Sequence, residues 1–220
     1  MSFFLIPPER FLSHPVPAPS PFRSRQDRSR EREAKRDAVL LTAVRMFNER
    51  GFHASSLDDV AAALGVSKPT IYHYLGNKEQ VLIECVSRGL EALLEAVDAS
   101  GQETGSGLDR LRRFLCRYSE IIMGDFGRCV VRVGDESLSS EGAAQFRARK
   151  REIDLALRRM IEAAIADGSM RPVDVRLTGF ALAGALNWPA RWHSASGPEQ
   201  PPEIARDMVN ILIDGLRPAP

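Results

Sequence analysis

The stretch from Ser56 to Lys78, SLDDVAAALGVSKPTIYHYLGNK, leaves few choices of fold. Ser56 followed three residues later by Asp59 has the form of a helix N-cap with an acidic first turn. Behind it Leu57, Val60, Ala61 and Leu64 recur at helical spacing. Gly65 stops that helix, because glycine enters the left-handed region without the Cβ clash other residues suffer. After Val66, Ser67 can cap a second helix beginning Lys68-Pro69, where a first-turn proline loses no intrahelical hydrogen bond. This helix is short, ends near Leu75-Gly76, and leaves Asn77 to cap a third.

Two short helices joined by a tight glycine turn form a helix-turn-helix, whose second helix can enter a DNA major groove. Ile71 and Leu75 lie one turn apart and face inward. Lys68, Thr70, Tyr72, His73 and Tyr74 leave the other faces rich in donors and rings, which suit phosphate and base-edge contact. An ordinary helical corner with a solvated face is the competing reading. On the first reading Ser56, Thr70, Tyr72, His73 and Lys78 meet mainly phosphates, Lys68 and Pro69 face base edges, and Ser67 and Tyr74 complete the DNA-binding set. Lys78 falls in the first turn of the third helix, where the dipole disfavours a cation, so a phosphate partner is expected there.

The run from Ala34 to Leu94, with GFHASS at 51–56 and GVSKPTIYHYLGNKEQVL at 65–82, resembles the DNA-binding domain of the TetR family of transcriptional regulators. The motif is highly specific. The resemblance implies a homodimeric, all-helical repressor whose carboxy-terminal helices hold a small effector. Two positions depart from the family pattern: Pro69 stands where Gly is usual, and Leu75 where Phe is usual. Pro69 weighs against a close backbone approach to a base, whereas Leu75 changes only core packing.

Composition adds limits. With 44% apolar and 27% charged residues in 220, the chain suits one or two globular domains with a substantial core. Net charge is only +1, but Phe22 to Glu79 carries 11 Lys/Arg against 8 Asp/Glu, the sign expected of an amino-terminal DNA contact. Cys85, Cys116 and Cys129 are widely spaced without a C-x-x-C pair; they read as small buried residues or, less simply, a redox sensor. His14, His53, His73 and His193 are scattered, so no metal and no cofactor is expected. No apolar run approaches the ~18 to 20 residues that span a bilayer, and FFLI at the start is too short for a signal core, so a cytoplasmic protein with no membrane partner is expected.

Three segments follow. Residues 1–28 form a flexible Pro/Arg-rich tail, with Pro7, Pro8, Pro15, Pro17, Pro19 and Pro21 forbidding regular helix. Residues 29–77 form the helix-turn-helix domain, opened by a helix bearing Val39, Leu40, Ala43, Val44 and Phe47. Residues 78–220 form a ligand-binding and dimerisation domain. The basic run Phe22 to Arg36 reads either as an arm reaching DNA phosphates or the minor groove, or as a solvated tail.

From Lys78 a long helix runs toward Ala99, and SGQETGSG at 100–107 is a loop. Further helices carry Leu108 to Ile122, Cys129 to Leu138, Phe146 to Ala164, Leu177 to Trp188, and Ile204 to Leu216. No stretch alternates as a strand, so the fold is all-α. The small face Ala181, Ala183, Gly184 and Ala185, with Ile204, Met208, Ile211 and Leu212 of the last helix, offers a dimer seam whose two-fold axis matches a palindromic double-stranded operator.

In NWPARW at 187–192, Asn187, Trp188, Arg191 and Trp192 either frame an apolar cavity with an anion contact or cap the bundle at a Pro189 kink. The element resembles the N-W-x-x-R-W ending of TetR-type regulators tied to fatty-acid, steroid or other acyl-CoA catabolism, which implies an acyl-CoA or other lipid-type effector. Phe114, Tyr118, Met123, Phe126, Met160 and Phe180 are the candidate lining. A ligand-responsive repressor is the leading reading. An activator or architectural DNA binder without an effector, and an enzyme using the helical cavity, are the alternatives; against the enzyme, no Ser/His/Asp or Cys/His grouping or phosphate-cradling loop appears. Deleting residues 1–28 should weaken DNA binding and flatten its salt dependence; affinity unchanged at every salt concentration in a binding titration rejects the arm.

Overall fold

A computed structural model describes residues 25–101 and 104–214. The expectations for the proline-rich tail through Ser24 and for Leu216 lie outside the described residues. The described residues form helices α1 (Arg25–Arg50), α2 (Leu57–Leu64), α3 (Lys68–Leu75), α4 (Lys78–Gly101), α5 (Gly107–Met123), α6 (Asp125–Arg132), α7 (Ser140–Ala166), α8 (Val175–Asn187), α9 (Pro189–Trp192) and α10 (Pro201–Asp214), with one 3-10 turn at Asp135–Ser137. The fold is all-α.

Caps set most of these limits. The Ser56 hydroxyl accepts from the Asp59 N–H while the Asp59 carboxylate accepts from the Ser56 N–H at 3.0 Å, a reciprocal box at the start of α2. Asn77 and Gln80 do the same for α4, each pair at 2.9 Å. Gly65 ends α2 at φ 64°, its N–H returning to the carbonyls of Ala61 and Ala62. Asp174 caps α8 by accepting from the Leu177 N–H at 2.8 Å.

The chain divides at Lys35/Arg36 into two units. In the first, the basic run is helical from Arg25 onward, and Lys35 pairs with Glu31 at 2.8 Å. The second holds everything after it. There Arg36 meets both carboxylate oxygens of Glu84, and Arg88 reaches Asp37 at 2.6 Å, tying α1 to α4.

Several boundaries differ from the sequence reading: Arg25 to Arg28, expected in the flexible tail, open α1, and Ser100, Gly101 and Gly107, expected in a loop, belong to α4 and α5. The helix expected over Cys129 to Leu138 begins four residues earlier, at Asp125, because extended Gly124 both closes α5 and opens α6. Its expected second half is the 3-10 turn after Gly134.

Helix α4 is the axis, burying Leu82, Cys85, Val86, Leu90 and Leu93 against α5, α6 and α7. The backbones of α4 and α6 approach so closely that a Cβ on Gly89 would lie 2.6 Å from the Phe126 carbonyl oxygen. No helix among the described residues is long and apolar enough to cross a membrane. Gly89→Ala should lower unfolding free energy by about 1–3 kcal/mol through this overpacking, read by urea titration.

Candidate functional site

Two sites emerge, one on the surface of α3 and one inside the carboxy-terminal helices. On α3, Ile71 and Leu75 are buried under α2 and α4, which fixes the opposite face outward. Ser67, Lys68, Pro69, Tyr72 and His73 are exposed on that face, with Thr70 and Tyr74 half-buried at its edge. Tyr72 is 51% exposed, unusual for so large a ring, and leaves an aromatic donor available to a partner. The His73 and Tyr74 rings stack edge-on with centroids 5.5 Å apart.

The remaining predicted DNA contacts have partners inside the protein. Ser56 is spent on capping α2, and its hydroxyl holds the Asp59 carboxyl below the usual carboxylate range. The Ser67 and Thr70 hydroxyls share a hydrogen bond at 2.8 Å. Lys68 spans 2.5 Å to Asp58 on α2, a bond that raises the lysine pKa. Lys78, for which a phosphate was expected, lies 4.3 Å above the Phe52 ring and donates to the His53 carbonyl at 3.5 Å. Ring and carbonyl offset the adverse dipole from within.

Between α4, α5, α6, α7 and α8 lies a cavity of about 400 Å³. Leu90, Leu93, Ile122, Val130, Leu157 and Phe180 supply apolar wall; Tyr118, Asn187, Lys150, Arg151 and Asp154 supply its polar atoms. Tyr118 donates to the Asn187 Oδ1 at 2.8 Å, and burial pushes the phenol up to about 12.

Of the residues expected here, Tyr118, Phe180 and Asn187 line the cavity, and Phe114, Met123, Phe126, Met160, Trp188, Arg191 and Trp192 do not. Phe114 is sealed in the core beside the Tyr118 ring, and Met123 packs with Ile204 and Ala205. Phe126 carries the Arg88 guanidinium on its ring, and Met160 faces the Ser100 hydroxyl. Trp188 and Arg191 are exposed. Sequence reasoning missed Lys150, Arg151 and Asp154, which also line the cavity. The available signal was their position astride Ile153, a core position of the same helix.

The proposed seam residues also separate. Ala181, Gly184 and Ile211 are exposed, Ile211 at 76%, while Met208 and Leu212 are half-buried. Ile204 is turned inward, because α10 lays Ile204, Ala205, Val209 and Ile213 on its own subunit. The Cys85 and Cys129 thiols are buried and pushed up by desolvation, which leaves them protonated and poorly nucleophilic.

Helix α6 joins the cavity to α1. Arg132 donates to the carbonyls of Ala190 at 3.0 Å and Arg191 at 3.1 Å, and also to that of Asn48 at the end of α1. Arg128 donates to the Met123 and His193 carbonyls, each at 3.1 Å. Asp125 pairs with Arg45 at 2.9 Å, and its carbonyl accepts from Asn48 at 2.8 Å. Burial, with Arg128 and Arg191 nearby, holds the Arg132 pKa below its ordinary value.

Family comparison agrees with this layout. The model of bacterial regulatory proteins of the tetR family matches residues 39–85. That of the tetracyclin repressor-like C-terminal domain matches residues 104–216, half of the chain. The chain belongs to the TetR family.

It is therefore a helix-turn-helix, DNA-binding transcriptional regulator. Among relatives, the transcriptional repressor KstR2 of Mycolicibacterium smegmatis is 25% identical over 187 residues, 83% of this chain and 91% of the relative. The solved TetR regulator PfmR of Thermus thermophilus is 32% identical, with a TM-score of 0.72 over 82% of this chain and 99% of that one. AibR, solved with isovaleryl coenzyme A and operator DNA, is 27% identical, with a TM-score of 0.70 over 81% and 98%. In this TetR protein, Arg132→Ala strands three carbonyls and should cost about 1–3 kcal/mol in urea unfolding. Arg132→Lys should recover little of it, since an ammonium cannot span the guanidinium's acceptors.

Proposed function

We propose that the protein is a repressor that holds a palindromic operator as a homodimer and releases it when an acyl-CoA or related lipid-type metabolite occupies the cavity. The exposed face of α3 carries the first half of this reading. Lys68, Tyr72 and His73 stand outward on a helix whose other side is locked into the core. The Lys68–Asp58 pair is solvent-exposed, and water screens such pairs until little net attraction is left, so a base edge or phosphate can take the lysine over. The KstR2 relatives support repression, and the AibR complex supports a coenzyme A thioester as the effector class.

Dimerisation rests on an apolar strip left uncovered among the described residues. Leu177, Ala181 and Gly184 of α8 and Trp188 just after it are exposed at helical spacing, with Ile211 on the neighbouring α10. Leu177 at 63% and Trp188 at 60% exposure are large apolar groups that a second copy would cover. An isologous pairing there gives the two α3 helices the two-fold relation a palindrome requires. The effector acts only through differential affinity, binding the protein more tightly when α3 is spaced wrongly for the operator.

Selection of bound DNA from a random pool, followed by release with acyl-CoAs, tests the whole reading. A two-fold symmetric sequence displaced by at least one chain length is expected; selected DNA without symmetry, or with no release, counts against it. Lys68→Ala should lose roughly tenfold to a hundredfold in operator affinity together with base preference, and Lys78→Ala should weaken all sequences alike. A Lys68→Ala protein that still separates operator from random DNA contradicts the base-edge assignment.

A further inference from the structure

Inside the cavity one pair of polar side chains, Tyr118 and Asn187, leaves an amide donor over. The Asn187 Oδ1 is occupied by the Tyr118 hydroxyl at 2.8 Å, which turns the amide nitrogen the other way. That nitrogen has no partner among the described residues, and Asn187 lines the cavity. Its two N–H groups are therefore donors left over at the polar end of the cavity, where a matching acceptor gains most. Tyr118 stays protonated across the working pH range, since burial pushes its pKa to about 12, so the orientation of Asn187 does not change with pH.

The cations of the same cavity lie at the same end. Gly179 of α8 sits against Leu157, Arg158 and Ile161 of α7. With the two helices antiparallel, eight residues along each, about 12 Å, bring Asn187 level with Lys150 and Arg151. Asp154 is neutralised by Arg158 at 2.6 Å. Lys150 rests 4.9 Å over the Phe146 ring, and neither it nor Arg151 makes an ion pair among the described residues. Beyond this polar end the walls are Leu90, Leu93, Ile122, Leu157 and Phe180.

We infer that Asn187, oriented by Tyr118, is the specificity-determining residue that reads the carbonyl oxygen of an acyl effector, with its anionic group beside Lys150 and Arg151 and its hydrocarbon in the apolar part of the cavity. A fatty acyl-CoA and a free fatty acid share this chemistry. The inference rests on the effector reading proposed above and deepens it: without the carbonyl, an equally long and equally charged ligand leaves the Asn187 donors unmatched.

The test is isothermal titration of the full chain with dodecanoyl-CoA, its thioether S-dodecyl-CoA, which lacks only the carbonyl oxygen, and dodecanoate. The unaltered protein should bind dodecanoyl-CoA about tenfold more tightly than the thioether, the scale of one neutral hydrogen bond. In Asn187→Leu the two should bind alike. Tyr118→Phe, which frees the amide to turn, should shrink the ratio without reversing it, and serves as the readout should Asn187→Leu fail to melt cooperatively. Lys150→Ala and Arg151→Ala should weaken both coenzyme A ligands and leave their ratio unchanged.

Equal binding of thioester and thioether by the unaltered protein, or a ratio that survives in both Asn187→Leu and Tyr118→Phe, overturns the inference. Dodecanoate binding more tightly than dodecanoyl-CoA, with the preference lost in Asn187→Leu, supports the inference while overturning the coenzyme A part of the proposed effector. Failure of all three to bind overturns both.

Discussion

The guanidinium of Arg132 is the point on which the arrangement of the two sites depends. Its donors are spread over three carbonyls, one at the end of α1 and two on α9, with no carboxylate among them. A carboxylate would have held the charge with two bonds and satisfied neither backbone. Carbonyls at helix ends have no intrahelical partner, so the arginine answers a need that α1 and α9 share. A planar fork of five donors can do this, and a point charge cannot. One side chain on α6 thereby ties the end of α1 to the segment that follows the cavity, beside the Arg45–Asp125 pair.

How far the sequence foretold this depends on the range of the interaction. Ser56, Asp59, Gly65 and Asn77 act on groups within four residues, so their caps and the α2–α3 turn were readable directly. The outward face of α3 followed from Ile71 and Leu75 being the apolar pair on so short a helix. The cavity was only partly readable. Phe114, Met123 and Phe180 are all large and apolar and carry the same signal, yet Phe114 is sealed, Met123 supports α10, and Phe180 reaches the cavity. What separates them is the position of helices distant in sequence. Lys150 and Arg151 were missed for the converse reason, since solvated charge and charge at a cavity mouth look alike in one dimension.

Lys68 and Lys78 show the same limit within ten residues of chain. Both were expected at DNA on the strength of charge and place. Lys68 is bound to Asp58 by an exposed ion pair, which water and salt weaken and a phosphate can displace. Lys78 rests on the Phe52 ring and the His53 carbonyl, a placement that ties the start of α4 to the loop after α1. The first lysine is available for exchange; the second has a standing task in the fold, and any phosphate it meets must share it.

On the proposed reading, the effector's route to the DNA-binding domain is short. Val130 and Val131 of α6 line the cavity, and Arg132 is the next residue. A ligand that parts Val130 from Leu90 moves α6 relative to α4, and the absence of a side chain at Gly89 means the two backbones already touch. Packed interiors yield by shifting between arrangements and not by stretching. Since Arg132 and Asp125 hold α1 at opposite ends of α6, through the Asn48 carbonyl and through Arg45, a displacement of α6 has two direct contacts through which to reach α1. The loop before α2 meets α1 through the Ser55 hydroxyl on the Met46 carbonyl, and α3 packs on α2 and α4, so on this reading the motion reaches α3. The energy available for that motion is the difference in ligand affinity between the two arrangements, which is why a ligand that fits one arrangement better, and not merely binds tightly, makes the switch.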